Sequence, residues 1–212
     1  MKQLFNLIKM QYRILFSIKK YMLLLFLVAM VMMIFNREML ISGASVLVMG
    51  LTYTVQAYEE KSKTVNLIYT LPVTPKSYVL SKYIYGYLNI LISIILLSII
   101  NFAAAKFNYD FLGPVGIYYV FTSLIGVGTF ITIIVIPIAL VFGFEKIRVI
   151  LMLLIMFPVI VAQILSVDIA DFVLLSENCG KSIIAIFTVI FIITISVISY
   201  LITSYLYCRK DK

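Results

Sequence analysis

The sequence has no histidine, and its two cysteines, Cys179 and Cys208, flank the last long apolar run rather than each other. Charge is scarce: 12% of residues are Asp, Glu, Lys or Arg, against 64% hydrophobic, and mean hydropathy is +1.14. Each shortage excludes a class of chemistry. Without histidine and with distant thiols, the usual ligands of a metal centre are missing, so no metal site and no catalytic residue is assigned. No expected span holds an ionisable residue near its middle, which argues against a buried proton relay. An intrachain disulfide would have to join opposite sides of a membrane and is not expected. Cys208 reads as an inert thiol where a span meets the surface.

So little polar surface cannot cover a soluble globule of 212 residues. The reading is an all-α polytopic membrane protein, a single transmembrane domain over 1–212. The first apolar run lies behind Lys19 and Lys20 without a small-residue cleavage pattern, so the whole chain is expected to be retained. The formal charge of +8 comes from basic residues scattered between apolar runs, which speaks for membrane topology and against nucleic acid as a partner.

Six spans are expected: 21–36, 39–57, 83–105, 118–142, 149–167 and 182–207. The first covers only about 24 Å at 1.5 Å per residue, a shortfall that snorkelling by Lys20 and Arg37 can make up. The uncharged stretch from Phe111 to Phe144 is too long for one straight span and barely long enough for two. It is read as one span bent at Pro137, tolerable if a neighbouring helix satisfies the freed carbonyl. The fifth span contains Pro158, and an acidic outer loop with Asp168, Asp171 and Glu177 follows it. With both termini inside, the cytoplasmic segments hold every Lys and Arg except Arg37, Lys106 and Lys181. A seventh span would move Lys146, Arg148, Arg209, Lys210 and Lys212 outside and erase that bias.

Residues 1–20 carry Lys2, Lys9, Arg13 and Lys20 on one helical face, with Leu4, Phe5, Leu7, Ile8, Ile14, Leu15 and Ile18 around the rest. This pattern predicts an interfacial amphipathic helix on the lipid bilayer, its charges facing anionic headgroups. In the second span Gly43 and Gly50 lie seven apart on one face, as intrachain packing or a dimer seam requires. Thr52, Thr54, Gln56, Asn89, Asn101, Thr129, Thr132 and Gln163 are expected to hydrogen-bond between helices.

The only long polar break is Tyr58 to Lys82, expected on the cytoplasmic side. Ser62 or Thr64 can cap a short helix with Val65, Ile68 and Tyr69 on one face, ending before Pro72. Thr74 and Pro75 then read as cap and first residue of the next helix. Two motif fragments fail. Glu59-Glu60 resembles the start of an intramembrane CAAX-type protease motif but lacks the downstream Arg and the histidines. Gly180-Lys181-Ser182 lacks the earlier glycine of a phosphate-binding loop, where Leu175 stands instead, and no strand precedes it. The chain is therefore not read as an enzyme.

Glu60-Lys61, then Leu67-Ile68-Tyr69-Thr70-Leu71-Pro72-Val73-Thr74, then Lys82-Tyr83-Ile84 resemble the corresponding loop of type-2 ATP-binding-cassette (ABC) transporter permeases. The resemblance extends to the basic N-terminal helix, the six-span order and the length. Relatives often carry Gly after the acidic-basic pair, where this chain has Ser62-Lys63-Thr64. The resemblance implies a coupling helix at Glu60, Lys61, Ser62, Lys63, Thr64, Val65, Asn66, Leu67, Ile68, Tyr69 and Thr70 that docks on a separate ATPase subunit. It implies two such ATPases holding ATP and Mg, with no cofactor in this chain. A second copy of the chain or a related permease completes the assembly, and Gly43 and Gly50 become its candidate seam. The compact size is most similar to small bacterial plasma-membrane permeases that export amphipathic peptides such as phenol-soluble modulins. Antibiotics, lantibiotic-type immunity and lipids are rival cargoes, and a non-transporting scaffold is the rival function.

Overall fold

The computed structural model describes residues 2–35, 40–62, 73–106, 116–143 and 181–210. Among these are six helices: α1 (Lys2–Ser17), α2 (Lys19–Phe35), α3 (Leu40–Lys61), α4 (Pro75–Lys106), α5 (Gly116–Phe142) and α6 (Lys181–Lys210). The expected fifth span, most of the coupling segment (63–70), Cys179, Gln163 and the acidic outer loop lie outside the described residues.

The amphipathic α1 turns into the uniformly apolar α2 through a bend of 83°. No Pro or Gly stands there. The backbone tightens instead, with Ile18 N–H donating to the Leu15 carbonyl at 3.2 Å and Met22 N–H to the Ile18 carbonyl at 3.1 Å. α1 buries Leu7, Gln11 and Leu15, one stripe at four-residue spacing, against the rest of the protein. Part of the apolar surface expected to meet lipid is thus spent on packing within the chain.

α3 buries Ala44, Leu47, Val48, Leu51 and Val55, the repeat of a helix with one apolar face inward. Its close approach to α2 depends on Gly50, where a Cβ would stand 2.0 Å from Leu25 Cδ1. α4 touches α1, α3, α5 and α6, and α3 touches α1, α2, α4 and α5. It begins where Thr74 and Pro75 predict: Thr74 Oγ accepts from Ser77 N–H at 3.4 Å, and the Thr74 carbonyl from Tyr78 N–H at 3.2 Å. α4 and α5 approach closely in both directions. A Cβ on Gly86 would lie 2.7 Å from Thr132 Cγ2, and one on Gly128 would lie 2.9 Å from Ile90 Cγ1.

Pro137 stands inside α5. Proline supplies no N–H to the carbonyl four residues back, that of Ile133. Ser199 of α6 donates its hydroxyl to that carbonyl at 3.1 Å, so the neighbouring helix does satisfy it. The same Ser199 oxygen lies 2.7 Å from the Tyr83 hydroxyl of α4, which also lies 2.9 Å from Thr203 Oγ. Thr203 gives its own proton to the Ser199 carbonyl. Tyr83's proton is therefore shared between two acceptors, and one polar knot ties α4, α5 and α6.

Other span hydroxyls do not bridge helices as expected. Thr52 donates to Val48 O at 2.6 Å, Thr132 to Thr129 O at 2.8 Å, and Thr54 and Thr129 to carbonyls of their own helices. A hydroxyl on Cβ reaches the carbonyl one turn back without any partner helix.

Among the described residues three helices are long and apolar enough to cross a membrane, within Pro75–Phe102, Leu124–Phe142 and Val189–Arg209; the bent α1–α2 pair raises the number to four if it forms one span.

Candidate functional site

α3 and α4 flank the polar loop, and the sequence puts a charge near the loop end of each. Glu59 lies in the last turn of α3, at the negative end of its helix dipole. Lys82 lies early in α4, towards the positive end. Glu59 is on the unfavourable side of its own helix, and both residues are buried, at 2% and 1% exposure. They are held by each other: Lys82 Nζ donates to Glu59 Oε2 in a buried ion pair. Taking two charges out of water is costly, and only mutual attraction with further hydrogen bonds makes it tolerable.

The further bonds are present. The Tyr78 hydroxyl donates to the same Oε2 at 2.9 Å, and Lys82 Nζ lies 5.3 Å from the centre of the Tyr78 ring. The Tyr78 ring stacks at a tilt on Tyr207 of α6, with centroids 5.8 Å apart. On the next turn of α4, Ser81 donates to the Tyr78 carbonyl at 2.7 Å and accepts from Gln11 Nε2 of α1 at 3.1 Å. Leu7, Tyr78, Val79, Tyr83, Ile136 and Tyr207 close over this cluster as one apolar group. Five helices, α1, α3, α4, α5 and α6, therefore meet at the root of the loop.

Above the ion pair a buried polar stripe continues along α3 and α4. Tyr85 donates its hydroxyl to the Leu51 carbonyl at 3.2 Å and packs edge-on against Tyr12 of α1 at 5.0 Å. Gln56 Oε1, Glu59 Oε1, Gln11 Oε1 and the Asn89 amide are buried with no hydrogen-bond partner among the described residues. The stripe is rich in acceptors, but no three His, Cys, Asp or Glu side chains gather among the described residues as a metal site would need.

Of the expected docking residues, the structure describes Glu60, Lys61 and Ser62. Glu60 and Lys61 end α3 exposed. The Glu60 side chain lies beside Gly143, where a Cβ would stand 3.4 Å from Glu60 Oε1 and where φ is +84°, the left-handed turn that glycine permits just after α5. Ser62 closes α3: both its N–H and its hydroxyl donate to the Tyr58 carbonyl, at 2.9 and 2.6 Å. Lys63, Thr64, Val65, Asn66, Leu67, Ile68, Tyr69 and Thr70 lie outside the described residues. Of the candidate seam, Gly43 is buried and Gly50 faces Leu25 of the same chain.

The sequence reading placed Glu59 at the start of the polar stretch and Lys82 on the helix entering the third span, and missed their pairing. The only hint was weak: opposite charges near the facing ends of two successive helices, each within a turn or two of an apolar run, can meet, but nothing along the chain requires them to.

The family model for the ABC-2 family transporter protein matches residues 6–208. No curated protein and no solved structure matches the chain.

Proposed function

The chain belongs to the ABC-2 transporter family, and from that premise we propose that it is the membrane permease of an ATP-driven exporter, energised by a separate ATPase subunit that docks on the loop between α3 and α4. The observation that carries this reading is the buried Glu59–Lys82 pair at the loop root. A loop joined to two independently mobile helices would absorb a push. Helices fixed to each other by a desolvated ion pair, and to α1 and α6 by Gln11 and Tyr207, would move together when an ATPase closes beneath them.

In this reading Glu60 to Thr70 form the docking segment; Glu60 and Lys61 enter it as the last residues of α3 rather than as the start of a separate helix, and Val65, Ile68 and Tyr69 are its apolar anchors. Six spans place both termini and this loop in the cytoplasm of a bacterial cell, and α1 lies along the inner membrane surface. Two copies of the chain, or this chain and a related permease, work with two ATPases that hold ATP and Mg. The walls available to a cargo are apolar and bear no charge near mid-span, which suits hydrophobic or amphipathic cargo. Amphipathic peptides are the favoured class, ahead of antibiotics and lipids.

The test is co-purification of the chain and of an Ile68→Asp plus Tyr69→Asp variant with a co-expressed ABC ATPase subunit from the same organism, followed by ATP hydrolysis with amphipathic peptides. Binding by the wild type alone, with peptide-stimulated hydrolysis, is expected. Equal binding by a folded variant would place the docking helix elsewhere. Binding with no cargo effect on hydrolysis would favour a scaffold.

A further inference from the structure

The face of α1 turned away from the bundle is not plain surface. Opposite the buried Leu7, Gln11 and Leu15, it exposes Lys9 and Arg13, and Lys19 and Lys20 are exposed where α2 begins. Among the described residues none of these four cations forms an ion pair. Phe5 and Phe16 border the same face at 66% and 58% exposure, and Tyr21 follows at 71%. Past the 83° bend α2 is apolar all round, with Leu23, Leu24 and Leu27 exposed within its first turns. The cations thus sit at the level where an apolar span starts, with aromatic rings beside them.

The geometry points to a binding site for anionic phospholipid headgroups on this face, whose occupancy is felt at the loop root. The inference rests on the reading of α1 as a helix of the inner membrane surface. Unpaired Lys and Arg meet lipid phosphate while Phe5 and Phe16 enter the acyl boundary, a combination that zwitterionic lipid satisfies less well. The opposite face of the same helix carries the message inward. Gln11 is fully buried and holds Ser81, the neighbour of Lys82, and Leu7 packs in one cluster with Tyr78. A helix seated by lipid on its outer face holds the ion-paired root from its inner face. Anionic lipid is therefore a regulator of coupling between the ATPase and the spans.

Two readouts test this. First, the detergent-solubilised chain is titrated with phosphatidylglycerol or phosphatidylcholine while its Tm is followed. Phosphatidylglycerol raises the wild-type Tm, and the apparent affinity of a Lys9→Gln plus Arg13→Gln variant falls on the order of 30-fold, at about five-fold per cation near an anionic surface. An equal rise in both proteins overturns the site.

Second, the complex with the ATPase is reconstituted in vesicles with and without phosphatidylglycerol. Wild type hydrolyses ATP faster with the anionic lipid, and the double variant loses that increment. Gln11→Leu keeps the Tm response yet loses the increment; if it keeps both, transmission through Gln11 is wrong. If the double variant fails to bind the ATPase in lipid-free detergent, the face belongs to that partner and the lipid site is overturned. Should no ATPase respond to the chain in any lipid, the permease reading fails while the Tm titration still decides the lipid site.

Discussion

Lys82 and Glu59 are the two residues whose removal has opposite meanings singly and together. Glu59→Gln leaves a buried ammonium without its counter-charge, and Lys82→Met leaves a buried carboxylate. Either should cost roughly 3–5 kcal/mol, read as a fall in Tm of the purified chain. Glu59→Leu with Lys82→Met removes both charges and should recover most of that stability, because a well-packed apolar pair replaces a desolvated ionic one. If rigidity alone were needed, the double variant would also recover partner ATPase stimulation. We expect it not to, because the Tyr78 hydroxyl then loses its acceptor and the contact between α3 and α4 its direction. This pair was not legible in the sequence. Read along the chain, each residue has polar neighbours and looks solvated; only the fold brings them together across twenty-three positions. Thr74 and Pro75, by contrast, were legible, because a cap acts on its own next turn.

Among the elements, α5 shows how far local rules reach. The sequence says that Pro137 frees a carbonyl and that some neighbour must take it. It does not say which, since Ser199 lies 66 residues away from Ile133. Ser199→Ala should leave that half-buried carbonyl unsatisfied at a cost of about 1–3 kcal/mol. Adding Pro137→Ala restores an N–H within α5, so the double variant should be more stable than Ser199→Ala alone; equal Tm values would mean that the hydroxyl does not serve that carbonyl. The contact of α2 with α3 gives a second check. Gly50→Val forces a side chain into Leu25 and should cost about 1–3 kcal/mol, relieved by Leu25→Ala. If Gly50 also lies at a seam between copies, Leu25→Ala would restore Tm without restoring the dimer, as seen by size-exclusion with light scattering. The basic stripe of α1 was legible from its period, but its burial was not. The stripe fixes which residues share a face, while the packing of Leu7 and Gln11 on α4 decides which face is free.

For the whole molecule, class is more legible than assembly. Composition alone leads to a helical membrane protein, and the loop pattern leads to the family that the match over residues 6–208 shows. Cargo and stoichiometry are not written in apolar walls, because lipid, a second copy and a hydrophobic cargo all select the same residue types. Topology can be tested with the two native thiols. In intact cells a membrane-impermeant maleimide should label Cys179 in a Cys208→Ser variant and spare Cys208 in a Cys179→Ser variant. The reverse pattern would invert the cation-based orientation. The ion pair at the loop root also bears on biosynthesis. Lys82 is made twenty-three residues after Glu59, an interval of roughly 1–5 s at cellular elongation rates. Until then the loop end of α3 carries an unmatched carboxylate that resists burial. The two helices are therefore expected to leave the insertion machinery as a hairpin, and a nascent chain stalled before Lys82 should be retained there or degraded rather than released into the bilayer.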